Sequence, residues 1–336
     1  MSGTRPLRIC LAASGGGHIR QILDLEHFWS EHNVFFVTED TALGRSIAQT
    51  HETYFLPHVA IGQAQTGHAL HMMKGAAASF AESLKILRKT KPDVILTTGA
   101  GSMAFMVALG RITGAKVILM DSFARFEGPS KFARMMGPFA SLRIAQAKGV
   151  ADKWKGAMVF DPFRITEGER PKKDSLLFAT VGATLAFPRL VDIVLEAAES
   201  GELKQDIILQ AGNGGMKDRE TSVEWAETFT FGEMKALLER ADIAVCHGGT
   251  GSIITALQAG CRVIAIPRRR ELGEHYDDHQ AEITENLRQR GLIEVADTTE
   301  EFMAAVKRLQ SKTPVCATTD YSELSNYLKI WAAQNS

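Results

Sequence analysis

Runs of β-branched and apolar residues recur along the chain, each followed by a stretch in which apolar positions return every three or four residues. That alternation predicts parallel strands joined by crossover helices. In the first half the predicted strands are Leu7 to Ala13, Val34 to Thr38, Val94 to Thr98 and Lys116 to Met120, with shorter ones near Tyr54, Leu142 and Met158. A polar, proline-bearing stretch from Asp161 to Asp174 breaks the alternation and reads as a linker. A second series follows: Leu176 to Val181, Asp206 to Gln210, Thr228 to Phe231, Ile243 to Cys246, Arg262 to Ile266 and Leu292 to Val295. Between the first two of these, Phe187, Leu190, Val191, Val194, Leu195 and Ala198 fall at helical spacing. Leu324, Tyr327, Leu328 and Trp331 share one face of a closing helix at the end of the chain. The expected fold is α/β, with two doubly wound, Rossmann-like domains facing each other across a cleft. Residues 1–160 make the first, 161–174 the linker, 175–320 the second and 321–336 the closing helix.

A length of 336 residues suits two such domains better than one core. The formal net charge of -1 argues against bulk nucleic-acid binding, so any anion must be met by a local patch. Cys10, Cys246, Cys261 and Cys316 have no CxxC pairing and read as thiols of a reducing cytoplasm. The amino terminus runs into a strand without an apolar stretch of signal-peptide length, and no spanning segment is legible. If a membrane is involved, the protein is expected to lie on it.

Glycine-rich loops stand where a strand should hand over to a helix. They are Ser14-Gly-Gly-Gly-His18, Gly99-Ala-Gly-Ser102 and His247-Gly-Gly-Thr-Gly-Ser252. Backbone N–H groups and the helix dipole can receive phosphate there, although glycine also simply permits a tight turn. The middle loop raises a rival, because Gly99, Gly101 and Ala104 match GxGxxA and Asp121 ends the next strand about 20 residues on, as in a dinucleotide fingerprint. A nicotinamide-dependent oxidoreductase therefore stands as an alternative of another class. The fingerprint normally opens such a fold, whereas this one follows several strands. No GxxxxGK[ST] string occurs.

The second half contains Ala179-Thr-Val-Gly-Ala-Thr184, Gln210-Ala-Gly212, Ala241-Asp-Ile-Ala-Val-Cys-His-Gly-Gly-Thr-Gly-Ser-Ile253 and Asp278-His-Gln280. In these it resembles the catalytic subunit of the UDP-GlcNAc transferase that adds the second sugar of the dolichol-linked oligosaccharide. The first half, through Ser14 to His18, Gly99 to Ser102 and Asp121-Ser-Phe-Ala-Arg125, is similar to that enzyme's membrane-anchor subunit. Both belong with the peptidoglycan lipid II GlcNAc transferase in the inverting, metal-independent GT-B group, family 28-like. The run Pro267 to Gln280 looks most like fused bacterial exopolysaccharide β-1,4-glucuronosyltransferases. The resemblance implies a UDP-sugar donor and a polyprenyl-diphosphate-linked sugar acceptor, with no cofactor. UDP-glucuronate is the implied donor, and UDP-glucose, UDP-galactose or UDP-GlcNAc the alternatives. Two departures stand out. The acidic residue expected to hold the ribose falls at Thr255, and the anchor subunit's transmembrane segment has no counterpart.

On that basis Gly248, Gly249, Thr250, Gly251 and Ser252 are expected at the diphosphate, with Gly182, Gln210 and His247 beside them. His279 and Gln280 could reach the donor sugar or merely begin a helix. Among Arg268, Arg269 and Arg270, one suffices to pair a sugar carboxylate, and the others could serve diphosphate or solvent. Gly15, Gly16, Gly17, Gly99, Ser102 and Arg125 are placed at the acceptor. Inverting transfer needs a base, for which His18 is the first candidate and Asp121 or Glu127 the alternatives. No metal site is expected, and Asp277 and Asp278 read as helix caps. The stretch Ser122 to Lys148 mixes phenylalanines and methionines with cations and suits the anionic inner face of a plasma membrane, with a buried helix bearing a solvated edge as the alternative. Ala69 to Ala81 is a second apolar segment open to a lipid-entrance or a core reading.

Overall fold

The computed structural model describes residues 5–15, 17–57, 69–123, 125–166, 170–182, 185–217, 219–275, 279–312 and 314–335. It divides into two units: residues 1–162 with 320–336, and residues 163–319. The chain thus crosses from the first unit within the stretch read as a linker and returns just before its last helix.

In the first unit the strands are β1 (Arg8–Ala13), β2 (Asn33–Glu39), β3 (Thr53–Leu56), β4 (Val94–Gly99), β5 (Lys116–Met120), β6 (Leu142–Ala145) and β7 (Ala157–Val159). They pair in the order β3-β2-β1-β4-β5-β6-β7, every neighbour parallel. β1, β4 and β5 are almost wholly buried, as strands covered on both faces must be. Ile9, Leu11, Leu96, Ile118, Met120 and Ile144 line the core on one face. The last helix, Ser322–Asn335, belongs here: Leu324, Leu328 and Ala332 enter that core, and Tyr327 and Trp331 pack against it.

The second unit has β8 (Phe163–Thr166), β9 (Asp174–Thr180), β10 (Asp206–Gln210), β11 (Glu224–Ala226), β12 (Ala241–His247), β13 (Arg262–Ile266), β14 (Glu294–Val295) and β15 (Cys316–Thr319). The main sheet runs β11-β10-β9-β12-β13-β14, again all parallel, which repeats the order of the first sheet without its seventh strand. β8 and β15 form a separate antiparallel pair, so the stretch expected to be a bare linker holds a strand. The helix Pro188–Glu199 starts on a proline preset for a first turn and buries Leu190, Val191, Val194 and Leu195, each worth about 1.5–3 kcal/mol.

One strand differs from expectation. Thr228 to Phe231 is not extended; the edge strand is Glu224–Ala226, and Thr230 instead caps the helix Phe231–Arg240. The Thr230 hydroxyl accepts from Glu233 N, while the Glu233 carboxylate accepts from Thr230 N at 2.8 Å. That reciprocal pair ends extended backbone more firmly than β propensity prolongs it.

Candidate active site

Each sheet reverses its strand order once, and ligands of open α/β sheets bind beyond the carboxyl ends of the strands at that reversal. In the first unit the reversal lies between β1 and β4, so the loops at 14–18 and 99–102 flank it. His18 is half-buried at the start of the helix Gly17–Leu23. Its Nδ1 lies 3.0 Å from the Thr98 carbonyl, and the Thr98 hydroxyl donates to the His18 carbonyl at 2.9 Å. A carbonyl only accepts, so Nδ1 carries the proton and Nε2 keeps a lone pair. Burial pushes the His18 pKa down, against the hydrogen bond to Thr98 and the charges of Asp121 and Glu39, while Arg125 pushes the same way as burial. The shift favours the neutral ring, the form able to accept a proton.

The loop after β4 is bent sharply: Gly99 has φ +104° and Ala100, with a side chain, φ 118° and ψ 153°. Such backbone costs about 1–3 kcal/mol and collects at functional sites. The Phe132 ring closes over Gly99, where an added Cβ would lie 3.0 Å from it. Ser102 is buried, and its hydroxyl donates to the Glu39 carboxylate at 2.8 Å. Glu39, at the end of β2, escaped the sequence reading; a lone glutamate there looks like a solvated strand end. Gly15 packs on Thr41, whose side chain an added Cβ would meet at 2.6 Å. Gly17 is exposed, and Gly16 lies outside the described residues.

The two alternative bases sit differently. Asp121 is buried, and its carboxylate oxygens accept from Ser122 N at 3.0 Å and Ser130 N at 2.8 Å, which folds the loop after β5. Glu127 is exposed and Arg125 half-buried. The apolar residues of Ser122 to Lys148 divide: Phe123, Phe126 and Met136 are in the interior, while Met135, Lys131 and Arg134 are exposed together on the helix Lys131–Met136. Half of the expected membrane-facing apolar surface is therefore core.

In the second unit the reversal lies between β9 and β12. His247 ends β12, with Gly182 and Gly249 both against its ring; a Cβ on Gly182, at φ +84°, would come within 2.5 Å of it. Burial, with help from the Arg268 and His275 charges, pushes the His247 pKa down to about 3. The helix Thr250–Gln258 begins beside it, its N-cap Gly249 offering no side chain to the first N–H groups, and Gly251 is open to at least 4 Å. Ser252 is half-buried. Gly248 packs on Gln280, which is buried and accepts from Arg268 N at 3.0 Å. Gln210 backs the same corner: the Thr180 hydroxyl donates to it at 2.5 Å and accepts from Gly182 N at 3.0 Å. The Thr255 hydroxyl donates to the Gly251 carbonyl at 2.8 Å. The side chain of His279, and Asp277 and Asp278 entirely, fall outside the described residues.

The arginine cluster is sorted by its surroundings. Arg268 is 2% exposed, stacks on Phe187 at 4.8 Å and donates to the Val181 and Leu185 carbonyls at 2.9 and 2.6 Å. It braces the Gly182 turn from beneath. Arg269 pairs with Asp297, and its N–H donates to Glu274 at 2.9 Å. Arg189 grips Glu274 with two bonds of 2.8 Å and also reaches Asp297 and the Pro267 carbonyl. Arg270 alone of the three is exposed.

These two units define a GT-B fold, and the second carries a glycosyltransferase family 28 C-terminal domain, matched over residues 176–326. The chain is a glycosyltransferase. It is 24% identical over 278 residues to the UDP-N-acetylglucosamine--N-acetylmuramyl-(pentapeptide) pyrophosphoryl-undecaprenol N-acetylglucosamine transferase of Gloeothece citriformis, covering 78% of this chain and 76% of that one. It is 26% identical over 177 residues to the UDP-N-acetylglucosamine transferase subunit ALG13 of Kluyveromyces lactis, covering 41% and 88%. Among solved structures, MurG of Acinetobacter baumannii matches with a TM-score of 0.64 at 14% identity, over 98% of this chain and 94% of that one. A UDP-GlcNAc 2-epimerase from Methanocaldococcus jannaschii matches equally well, at 0.65 and 11% identity over 97% and 99%. The fold alone therefore does not choose the reaction. The dinucleotide reading is not supported: its GxGxxA loop follows β4 rather than β1 and opens on a 3-10 turn, Gly101–Met103.

Proposed function

We propose that the protein moves a sugar from a UDP-sugar to a polyprenyl-diphosphate-linked sugar by single displacement, with inversion and without a metal, and that the sugar is glucuronate. The observation that carries the transferase reading is the uncapped start of the helix Thr250–Gln258 at the strand-order reversal, inside the family-matched region. His247, Gly248 and Gly249 hold the turn before it, leaving the first N–H groups and Gly251 to receive the diphosphate. His18 Nε2 takes the proton of the acceptor hydroxyl as that oxygen bonds to the anomeric carbon. The carbon–oxygen bond to UDP breaks, and its electron pair leaves on the β-phosphate. The helix N-terminus receives the charge that develops there.

Glucuronate is favoured by Arg270, which the Glu274–Arg189–Asp297–Arg269 ion pairs present at the surface of a braced turn. A carboxylate beside a diphosphate adds like charge and needs a dedicated cation. The names of the relatives favour a second reading, UDP-GlcNAc, for which Arg270 would be unnecessary. Lys131, Arg134 and Met135 supply the contact with an anionic membrane, placing the enzyme on the inner face of the plasma membrane. No helix among the described residues is long and apolar enough to cross one.

The test is transfer of label from a panel of UDP-sugars into a solvent-extractable polyprenyl-diphosphate sugar. Turnover with UDP-glucuronate that drops on the order of tenfold to a hundredfold in Arg270→Ala, with UDP affinity kept, is the expected result. Preference for UDP-GlcNAc would move the donor to the second reading. Transfer from no UDP-sugar would remove the whole proposal.

A further inference from the structure

A chain of buried polar side chains joins the turn that leads into His18 to the loop after β5. Tyr321, Gln146 and Gln21 are 7%, 2% and 3% exposed. The Tyr321 hydroxyl donates to Gln146 Oε1 at 3.0 Å. Gln146 Nε2 donates to Gln21 Oε1 and to the Asp121 carbonyl, both at 2.7 Å. Gln21 Oε1 also accepts from Phe123 N at 3.1 Å, and Gln21 Nε2 donates to the Gly17 carbonyl at 3.0 Å. Gly17 directly precedes His18, and Asp121 to Phe123 begin the loop after β5.

The direction of this chain is fixed. Rotating the Gln146 amide by half a turn would set its oxygen against the Gln21 oxygen and the Asp121 carbonyl, and rotating Gln21 would set an oxygen against the Gly17 carbonyl. Each amide therefore has one allowed orientation, dictated by the Asp121 and Gly17 carbonyls and the Phe123 N–H, and the Tyr321 hydroxyl turns to donate to Gln146. Apolar side chains of the same volume would fill this space without the desolvation that two amides and a phenol require, so stability alone gives no reason for them. What they provide is register between the Gly17 turn and the loop after β5. Tyr321 also stands where the chain re-enters the first unit, next to Asp320, whose N–H donates to the Pro162 carbonyl at 2.7 Å.

We propose that Tyr321, Gln146 and Gln21 are positioning residues for His18, holding the Gly17 carbonyl and the Asp121–Phe123 backbone in one register so that Nε2 meets the acceptor hydroxyl. This rests on the reading of His18 as the base. Tyr321→Phe deletes only the hydroxyl, and Ile144→Val, in the adjoining core of β6, serves as a variant of comparable thermal stability. In Tyr321→Phe, kcat falls between about tenfold and a hundredfold, as for a small displacement of a reacting group, while KM for the UDP-sugar and UDP affinity stay as in the unaltered protein. Ile144→Val keeps kcat. The carbon-bound ring resonances of His18, followed by NMR in the free protein, move in Tyr321→Phe and stay in Ile144→Val. Adding Gln146→Met to Tyr321→Phe costs little more, because the chain acts as one unit. Equal losses of kcat in Tyr321→Phe and Ile144→Val, or an unmoved His18 resonance in Tyr321→Phe, would overturn the assignment. If the unaltered protein transfers no UDP-sugar, the functional reading fails, and the NMR comparison decides the positioning claim by itself.

Discussion

Replacing Gly182 by alanine tests the donor corner where its geometry is tightest. The residue has φ +84°, which costs a side chain about 1–2 kcal/mol. Its new Cβ would also stand 2.5 Å from the His247 ring, which Gly249 abuts as well. The ring must therefore move or the Gly182 turn must open, and overpacking of that kind adds about 1–3 kcal/mol. Gly201→Ala is the matched control, with φ +68° and nothing within 4 Å of the added Cβ. It carries the backbone cost without the collision. Urea unfolding should place Gly182→Ala roughly 1–3 kcal/mol below Gly201→Ala. Calorimetry should show UDP affinity lower by about tenfold or more in Gly182→Ala only, since His247 leads directly into the helix proposed to receive the diphosphate. If the two variants unfold together and both bind UDP like the unaltered protein, His247 does not set the donor corner.

Three further outcomes follow from the same geometry. His18→Gln should lose transfer by roughly a hundredfold to ten-thousandfold at unchanged UDP affinity; retained turnover would pass the base role to another group. The folded pKa of His247, about 3, lies below its ordinary 6.5, so the unfolded chain takes up the proton first as pH falls. Stability present above pH 6.5 should then decline toward pH 3 by up to about 1.4 kcal/mol per unit, with His18 acting in the same direction, and urea midpoints of His247→Asn should decline less. Lys131→Glu with Arg134→Glu should weaken sedimentation with anionic vesicles by about 1 kcal/mol per charge removed; unchanged co-sedimentation at low salt would place the membrane contact elsewhere.

Most of the sheet order rests on signals the sequence carries locally. Lys116–Met120, Asp206–Gln210 and Arg262–Ile266 are strands with the bounds their apolar runs predict, because a strand buried on both faces needs an uninterrupted run. Thr228 to Phe231 misled because its β-prone residues overlap a capping box, whose Thr230-x-x-Glu233 spacing was the stronger signal. β8 gave none, since its partner β15 lies far along the chain. The glycine loops were legible as turns, yet the tautomer of His18 depends on Thr98 and the strain at Ala100 on its neighbours. Gln21, Gln146 and Tyr321 read as ordinary polar positions until the fold brings them together. The arginine run showed three equivalent cations; Asp297, Glu274 and the Val181 carbonyl, all distant in sequence, separate them.

The central claim, a metal-independent UDP-sugar site built on the second unit's glycine turn, meets its most direct test in a calorimetric titration of UDP into the full-length protein with EDTA present. One UDP bound per chain, with the same affinity whether or not magnesium is then supplied, is the predicted result. No heat of binding, or binding that appears only when magnesium is restored, would contradict it.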